Sequence, residues 1–324
     1  MGPLTLQIMR YFLTILAIAA PLPALAIDLI LPVDCVLGDT CYIQQFVDHD
    51  KSEDASDFRC GPQTYDTHKG TDFALPSQAD LSLGFDVLAA ADGIIYAIRD
   101  SMPDAIQGVE GAPDVTGKEC GNGLVIRHSE GWETQYCHMA KGSILVEVGQ
   151  SVSAGDSLGH IGLSGKTQFP HLHFSVRKDG EVIDPFSPIG QSCSNDSATL
   201  WSDELPTPAG GVVSAGFAPG IPEYLAVKAG TAAAESLAPD QNIVFWGFAF
   251  GGRQDDILRI TILGPDGPFH TNEFKIERDK AQFMRASGRR APVEGWPKGL
   301  YQGQASLIRD GNLIGTQTGE INVQ

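Results

Sequence analysis

From residue 86 to residue 183 the chain alternates short apolar runs with glycine-containing turns. Residues 86–98 (DVLAAADGIIYAI) place a glycine-centred turn between two apolar stretches. Residues 123–128 and 133–138 flank Ser129-Glu130-Gly131-Trp132, which predicts a hairpin. Residues 143–149 and 157–162 are short and bounded by glycine, and 172–177 alternates before Asp179-Gly180, a second hairpin turn. Strands this short and regularly spaced predict an all-β core. Residues 99–120 break the pattern and read as a long surface loop, a length that goes with function or disorder.

The last part alternates as well. Residues 243–250, 257–263 and 300–308, with turns at Gly264-Pro265-Asp266-Gly267 and Asp310-Gly311, predict a small β-sandwich of immunoglobulin-like type over residues 241–324. Residues 202–240, rich in Ala, Gly and Pro, read as a linker plus a first weak strand. Residues 274–288 fit a short helix or a strand and loop equally. Trp246, Phe248, Trp296 and Tyr301 are read as core aromatics in preference to a binding platform.

The N-terminus changes the picture. Arg10 precedes the apolar stretch 11–22, and Ala24-Leu25-Ala26 has the form of a signal-peptidase site, so residues 1–26 read as a signal peptide rather than a retained anchor. The mature chain is then exported, periplasmic or extracellular, with no membrane segment. A formal charge of −18 excludes the basic footprint of a nucleic-acid binder and disfavours docking on anionic lipid. All six cysteines fall from Cys35 to Cys193, without a C-x-x-C pair, which points to disulfides. Cys120 and Cys137 flank one hairpin and are the expected bridge.

Seven of the eight histidines precede residue 200, which locates the chemistry in the first part. Two clusters stand out: His68-x-x-x-Asp72 and His171-x-His173. Residues two apart on a strand share a face, so His171 and His173 can enter one cavity. Gly70 lets the chain curve so that His68 and Asp72 converge. Two nitrogens and a carboxylate oxygen, with a position left open, suit a catalytic zinc ion, which lowers the pKa of a water and polarises a carbonyl.

The order and spacing of residues 60–190 resemble the lysostaphin/LytM-type zinc metallopeptidases, a family of peptidoglycan endopeptidases. The resemblance runs through His68-Lys69-Gly70-Thr71-Asp72, Val87–Gly93, Gly121-Asn122-Gly123, Thr134–Met139, Val148–Val152, His171-Leu172-His173-Phe174 and Asp184-Pro185. It implies a two-sheet β peptidase domain, here residues 27–200 with an N-terminal extension, and one zinc ion held by His68, Asp72 and His173. It also implies catalytic roles for His138 and His171, with stem or cross-bridge peptides of peptidoglycan as substrate. Two imidazoles can divide the proton work where no H-E-x-x-H glutamate exists.

Two departures stand against the family pattern. Gln168-Phe169-Pro170 replaces small residues before His171, and loop 99–120 is long enough to shield the site. They motivate the alternative of a catalytically silent or gated peptidoglycan-binding regulator; a zinc amidase or carboxypeptidase is a further one. Ser175-Val176-Arg177-Lys178 mimics an S-x-x-K nucleophile but lies on a strand without its partners. Asp48, Asp50, Asp54 and Asp57 read as a solvated acidic loop rather than a calcium site, with His49 exposed in it. His128 is a candidate support for the site or a packing residue. His160 and His270 receive no role.

Overall fold

The computed structural model describes Gly2, residues 27–191, Cys193 and residues 198–324. The leader read over residues 1–26 lies outside the described residues except for Gly2. The first part consists of β1 (Tyr42–Gln45), β2 (Thr71–Ala74), β3 (Asp86–Leu88), β4 (Gly93–Arg99), β5 (Asn122–Arg127), β6 (Trp132–Met139), β7 (Ser151–Val152), β8 (Ser157–His160), β9 (His171–Lys178) and β10 (Glu181–Ile183). The second contains β11 (Gly211–Ala218), α1 (Tyr224–Ala229), β12 (Ser236–Leu237), β13 (Ile243–Gly252), β14 (Ile257–Gly264), β15 (Gly267–Lys275), β16 (Lys280–Arg289), β17 (Gly299–Arg309) and β18 (Asn312–Val323). The all-β expectation holds, with α1 the one α-helix among the described residues.

The main sheet of the first part runs β1-β2-β9-β6-β5-β4-β7, and β10 folds back on β9. A separate pair, β3–β8, covers its core. Alternation along β9 sends Leu172, Phe174 and Val176 inward against Phe73, Tyr136 and Trp201. The opposite face carries the odd-numbered residues 171, 173 and 175. That face holds the chemistry.

In the second part, sheets β11-β13-β16 and β12-β18-β17-β14-β15 enclose one core built on Phe245, Ile260, Tyr301 and Leu307. β13 is apolar along nearly its whole length because both its faces are covered. Ile243, Phe245 and Ala249 point into that core, whereas Trp246 and Phe248 pack under Val227 of α1. Trp296 lies edge-on to Phe269. These aromatics are structural, as the sequence favours. Residues 201–240 hold more order than a linker: β11 pairs with β13 from Gly211 to Ala218. Residues 274–288 resolve into the end of β15, a turn and most of β16.

The two parts are joined by side chains. Tyr42 meets Phe250 at 4.7 Å between ring centroids, and Phe169 and Val213 pack on the same cluster. Gln282 Nε2 donates to the Gln44 side chain at 3.0 Å, and Gln44 Nε2 donates to the Ala281 carbonyl at 2.9 Å. Three disulfides, Cys35–Cys41, Cys60–Cys193 and Cys120–Cys137, use all six cysteines, and the last is the expected bridge.

His128 belongs to this framework and not to the chemical face. Its Nδ1 donates to the Asp92 carbonyl at 2.7 Å and its Nε2 pairs with Thr134 Oγ1 at 2.8 Å, which in turn bonds the buried Tyr136 hydroxyl. Burial lowers its pKa, against weaker raising effects from Asp92 and Glu133. A histidine whose folded pKa is depressed contributes stability that is fully present above its unfolded value, near 6.5, and is lost as pH falls from there through the lower folded pKa. His128→Gln is therefore expected to flatten the decline of Tm between about pH 7 and about pH 5 relative to the parent protein; an unchanged slope would refute the coupling.

Candidate metal centre

Register builds the site. In the antiparallel β2–β9 ladder Asp72 lies opposite His173 and Ala74 opposite His171, and in the β6–β9 ladder Cys137 lies opposite His173. Three adjacent strands thus present Asp72, His173 and Cys137 side by side on one face. His171 joins them by the two-residue period of β9. His68 comes from the turn before β2, where the backbone N–H of His68 donates to the Tyr65 carbonyl at 3.0 Å.

Gly70 is required for a different reason from the one expected. Its backbone is not in the left-handed region; space is what it lacks. A Cβ there would lie 2.6 Å from the Phe174 carbonyl oxygen and 2.7 Å from His173 Nε2. Only glycine lets the His68–Asp72 segment approach β9 this closely.

His138 follows Cys137 and by simple alternation would point into the core. It does not. His138 has φ +66, and the β5–β6 register passes from Gly123–Cys137 to Asn122–Met139, leaving His138 as an extra residue. Such a bulge re-aims a side chain. Its ring lies 4.6 Å from His171 and 5.9 Å from His173, centroid to centroid.

Hydrogen bonds to carbonyls set the imidazole tautomers, since a carbonyl only accepts. His68 Nδ1 donates to Phe46 O at 2.6 Å, His138 Nδ1 to Ser164 O at 2.7 Å, and His171 Nδ1 to Phe169 O at 2.9 Å. Each neutral ring therefore keeps a lone pair on Nε2. His173 is held the other way round: Nε2 pairs with Ser175 Oγ at 3.1 Å, so Nδ1 faces Asp72 Oδ1 at 2.8 Å and His68 Nε2 at 3.1 Å. His68 Nε2 is 3.2 Å from the same Asp72 oxygen. The ligand atoms of His68, Asp72 and His173 lie within 4.8 Å of one another. Acceptors crowded so closely with a carboxylate call for a cation, and the N, N, O donor set is one that zinc takes.

The surroundings sharpen this. Burial would raise the Asp72 pKa, but His68, His171 and His173 overcome it and hold the carboxyl well below its usual range. At His68 burial pulls down, and the Asp72 carboxylate more than compensates, raising the pKa. His138 is pushed well below the ordinary value, first by burial and then by the neighbouring rings, and burial lowers His171 as well. Both are neutral bases at neutral pH.

The cluster opens into a cavity of about 890 Å³ reached by Asp72, His138 and His171. Tyr65, which the sequence reading missed, lines it with its ring 4.5 Å from His68. Burial and Asp72 raise its pKa, so its hydroxyl stays protonated. The signal was an aromatic three residues before His68, too common to single out. Loop 99–120 supplies another wall through Gln107, Val115 and Glu119. It is tied down: Asp100 accepts from Gly142 N at 2.7 Å, Asp104 from Leu163 N at 2.6 Å, and Cys120 is bridged to Cys137. Phe169 stacks on His171 at 4.4 Å while packing at the junction.

The remaining candidates fall away. Asp48 caps the backbone N–H groups of Asp50, Ser56 and Thr67, and Asp57 accepts from those of Arg59, Gly61 and Gln63. These carboxylates organise the loop, and His68, Asp72 and His173 are the one metal-competent cluster among the described residues. His49, expected to be exposed, is a correction: its side chain is 11% exposed and lies 2.8 Å from buried Asp184. His160 pairs with Asp86 and His270 with Ser287.

Residues 66–185 match the model of Peptidase family M23. Among curated relatives, peptidoglycan DD-endopeptidase ShyB of Vibrio cholerae is 33% identical over 137 residues, covering 41% of this chain and 26% of the relative. DD-carboxypeptidase/endopeptidase Mpg of Neisseria meningitidis is 32% identical over 124 residues, covering 38% of this chain and 23% of the relative. The matched part thus spans about a quarter of the length of these relatives. A zinc-containing peptidase from Vibrio cholerae, known as a crystal structure, is 27% identical, with 44% of this chain and 38% of that chain covered and a TM-score of 0.29.

The Ser175 bond predicts a graded effect. If the cluster holds a divalent metal, Ser175→Ala should leave the fold intact but weaken that binding by about 10- to 100-fold, because His173 loses the partner that fixes its orientation. A competition titration against a chromophoric chelator measures it; unchanged affinity would show that Ser175 only fills space.

Proposed function

We propose that the chain is an exported zinc metalloendopeptidase that hydrolyses peptide cross-links or stems of bacterial peptidoglycan. The observation that carries this is the convergence of His68, Asp72 and His173 in one cluster, with Asp72 and two further imidazoles, His138 and His171, lining one groove. The names of the relatives supply the substrate class. In this reading residues 27–200 form the peptidase domain. Residues 241–324, together with the strand in 201–240, form an appended sandwich. Export agrees with the signal-peptide pattern and with three disulfides. No helix among the described residues is long and apolar enough to cross a membrane.

His68, Asp72 and His173 would hold one zinc ion. When bound, zinc supplies Lewis acidity that polarises the scissile carbonyl and makes water a stronger acid. The chain's own residues do the rest. His138 and His171 keep Nε2 unprotonated because their Nδ1 protons are committed to carbonyls and burial disfavours the charged ring. One takes the proton of the attacking water on Nε2 and, now charged, returns that same proton to the departing amide nitrogen, while the other, still neutral, accepts the water's second hydrogen and orients it. Tyr65 offers a neutral hydroxyl that can donate to oxygen charge developing on the substrate. The cavity reaches these groups, so loop 99–120 walls the groove and does not fill it. That favours the enzyme over a silent peptidoglycan-binding regulator.

The purified mature chain is expected to clear peptidoglycan, to stop when a chelator is added and to recover with zinc. His173→Ala should lose both metal and activity. His138→Ala should keep stoichiometric zinc, measured by elemental analysis, while turnover falls by about 10²- to 10⁴-fold. Full activity with zinc retained in that variant would remove His138 from the mechanism, and no product from any muropeptide would sink the reading.

A further inference from the structure

The second part of the chain contributes a charge to the groove. Lys228 on α1 and neighbouring Tyr224 line the same cavity as Asp72, His138 and His171. The placement of α1 is fixed from both sides. Val227 is buried against Ala218, Trp246 and Phe248, and the Lys228 carbonyl accepts from Gln78 N at 2.9 Å across the junction. Gly230 ends the helix at φ +80, pressed so closely on Ser77 that a Cβ would lie 2.5 Å from its hydroxyl oxygen. The lysine is thus carried on a rigid element.

Its charge has no mate. Lys228 Nζ lies 5.9 Å from the Phe169 ring and 5.7 Å from the Tyr224 ring, and among the described residues no carboxylate lies within ion-pair distance of it. The other cavity lysine, Lys166, has Glu119 nearby to offset its charge. Partial burial lowers the Lys228 pKa, as expected for an ammonium group that has given up water without gaining an anion. The acidic residues Asp114 and Glu119 line the groove from loop 99–120. The groove therefore carries charges of both signs among its apolar lining residues.

We propose that Lys228 forms a subsite for a free carboxylate of the peptide substrate, so that the C-terminal part of the chain selects and orients what the metal centre cuts. The inference deepens the peptidase reading and rests on it. Peptidoglycan stems bear free carboxylates, and a charge-assisted bond between such a group and Lys228 satisfies the lysine while the aromatic rings of Phe169 and Tyr224 exclude water around it. Repulsion by Asp114 and Glu119, which line the same groove from loop 99–120, disfavours a carboxylate beside them.

The test uses the full zinc-loaded chain and a stem pentapeptide ending in D-Ala-D-Ala, prepared as the free acid and as the C-terminal amide. Binding is measured by calorimetry and cleavage by mass analysis. The wild type is expected to bind the acid about ten-fold more tightly than the amide, K228Q to lose that preference with zinc content and Tm unchanged, and K228R to retain it. Two results would overturn the subsite: no acid preference in the wild type, or a preference that survives in K228Q and so belongs to the metal or another donor. Lys228-dependent binding with cleavage of neither the pentapeptide nor a cross-linked muropeptide dimer would leave the subsite standing and count against the peptidase reading. Cleavage with equal discrimination by wild type and K228Q would do the reverse.

Discussion

Everything chemical in this molecule depends on the register of β2 against β9. Asp72 lies opposite His173, and that pairing brings a carboxylate and an imidazole from positions 101 residues apart to 2.8 Å. Because side chains on a strand alternate with period two, a slip of one residue would turn Asp72 toward the core and Phe73 toward the groove. The core resists the slip: Phe73, Leu172 and Phe174 are fully buried on the other face. Hydrophobic burial thus holds the polar face in register, and the metal centre inherits its precision from the packing beneath it.

Much of this was open to a reader of the sequence, for an identifiable reason. His171-x-His173 on an alternating strand announces a shared face, and the glycine-bounded strands announce a β core. Other parts of the site were hidden because they rest on departures from regularity. Nothing in Tyr136-Cys137-His138 says that the strand bulges, yet without the bulge His138 would point inward. Ser175 orients His173 by the same parity that pairs the two histidines, but its only sequence signal was a false one, the S-x-x-K match, and nothing there tied it to His173. The Phe46 carbonyl that fixes the His68 tautomer is backbone, which no side-chain pattern can reveal. Residues 211–218 read as weak because their small residues, such as Gly211 and Gly216, allow close packing: a Cβ on Gly216 would lie 3.0 Å from the Trp246 ring.

The second part of the chain is more than an attachment. β13 is buried on both faces, one against its own sandwich and one against α1, and its end reaches the peptidase sheet through Phe250 and Tyr42. Phe169 transmits this junction to the chemistry, packing on the Tyr42–Phe250 cluster while stacking on His171. Contacts of this kind contribute on the order of 0.5–1.5 kcal/mol beyond area burial. The same aromatic lies near Lys228. One residue therefore links the interface, the His171 imidazole and the charged wall.

The bulge at His138 shows how such a site is sustained. A non-glycine residue in the left-handed region costs on the order of 1–3 kcal/mol and persists only where its surroundings over-determine it. Here they do. The His138 N–H donates to the Cys120 carbonyl at 2.8 Å, its carbonyl accepts from Gly162 N at 3.0 Å, and its ring is anchored on Ser164. The disulfide from the preceding residue, Cys137, returns to Cys120 itself. Loop 99–120 is thereby fastened at the point where the strand is strained. Gly121 and Gly165, where any Cβ would strike the other's backbone neighbours within 2.4 Å, allow the loop to press against the 164–165 turn. The long loop that interrupts the β pattern is part of what keeps the His138 imidazole turned toward the groove.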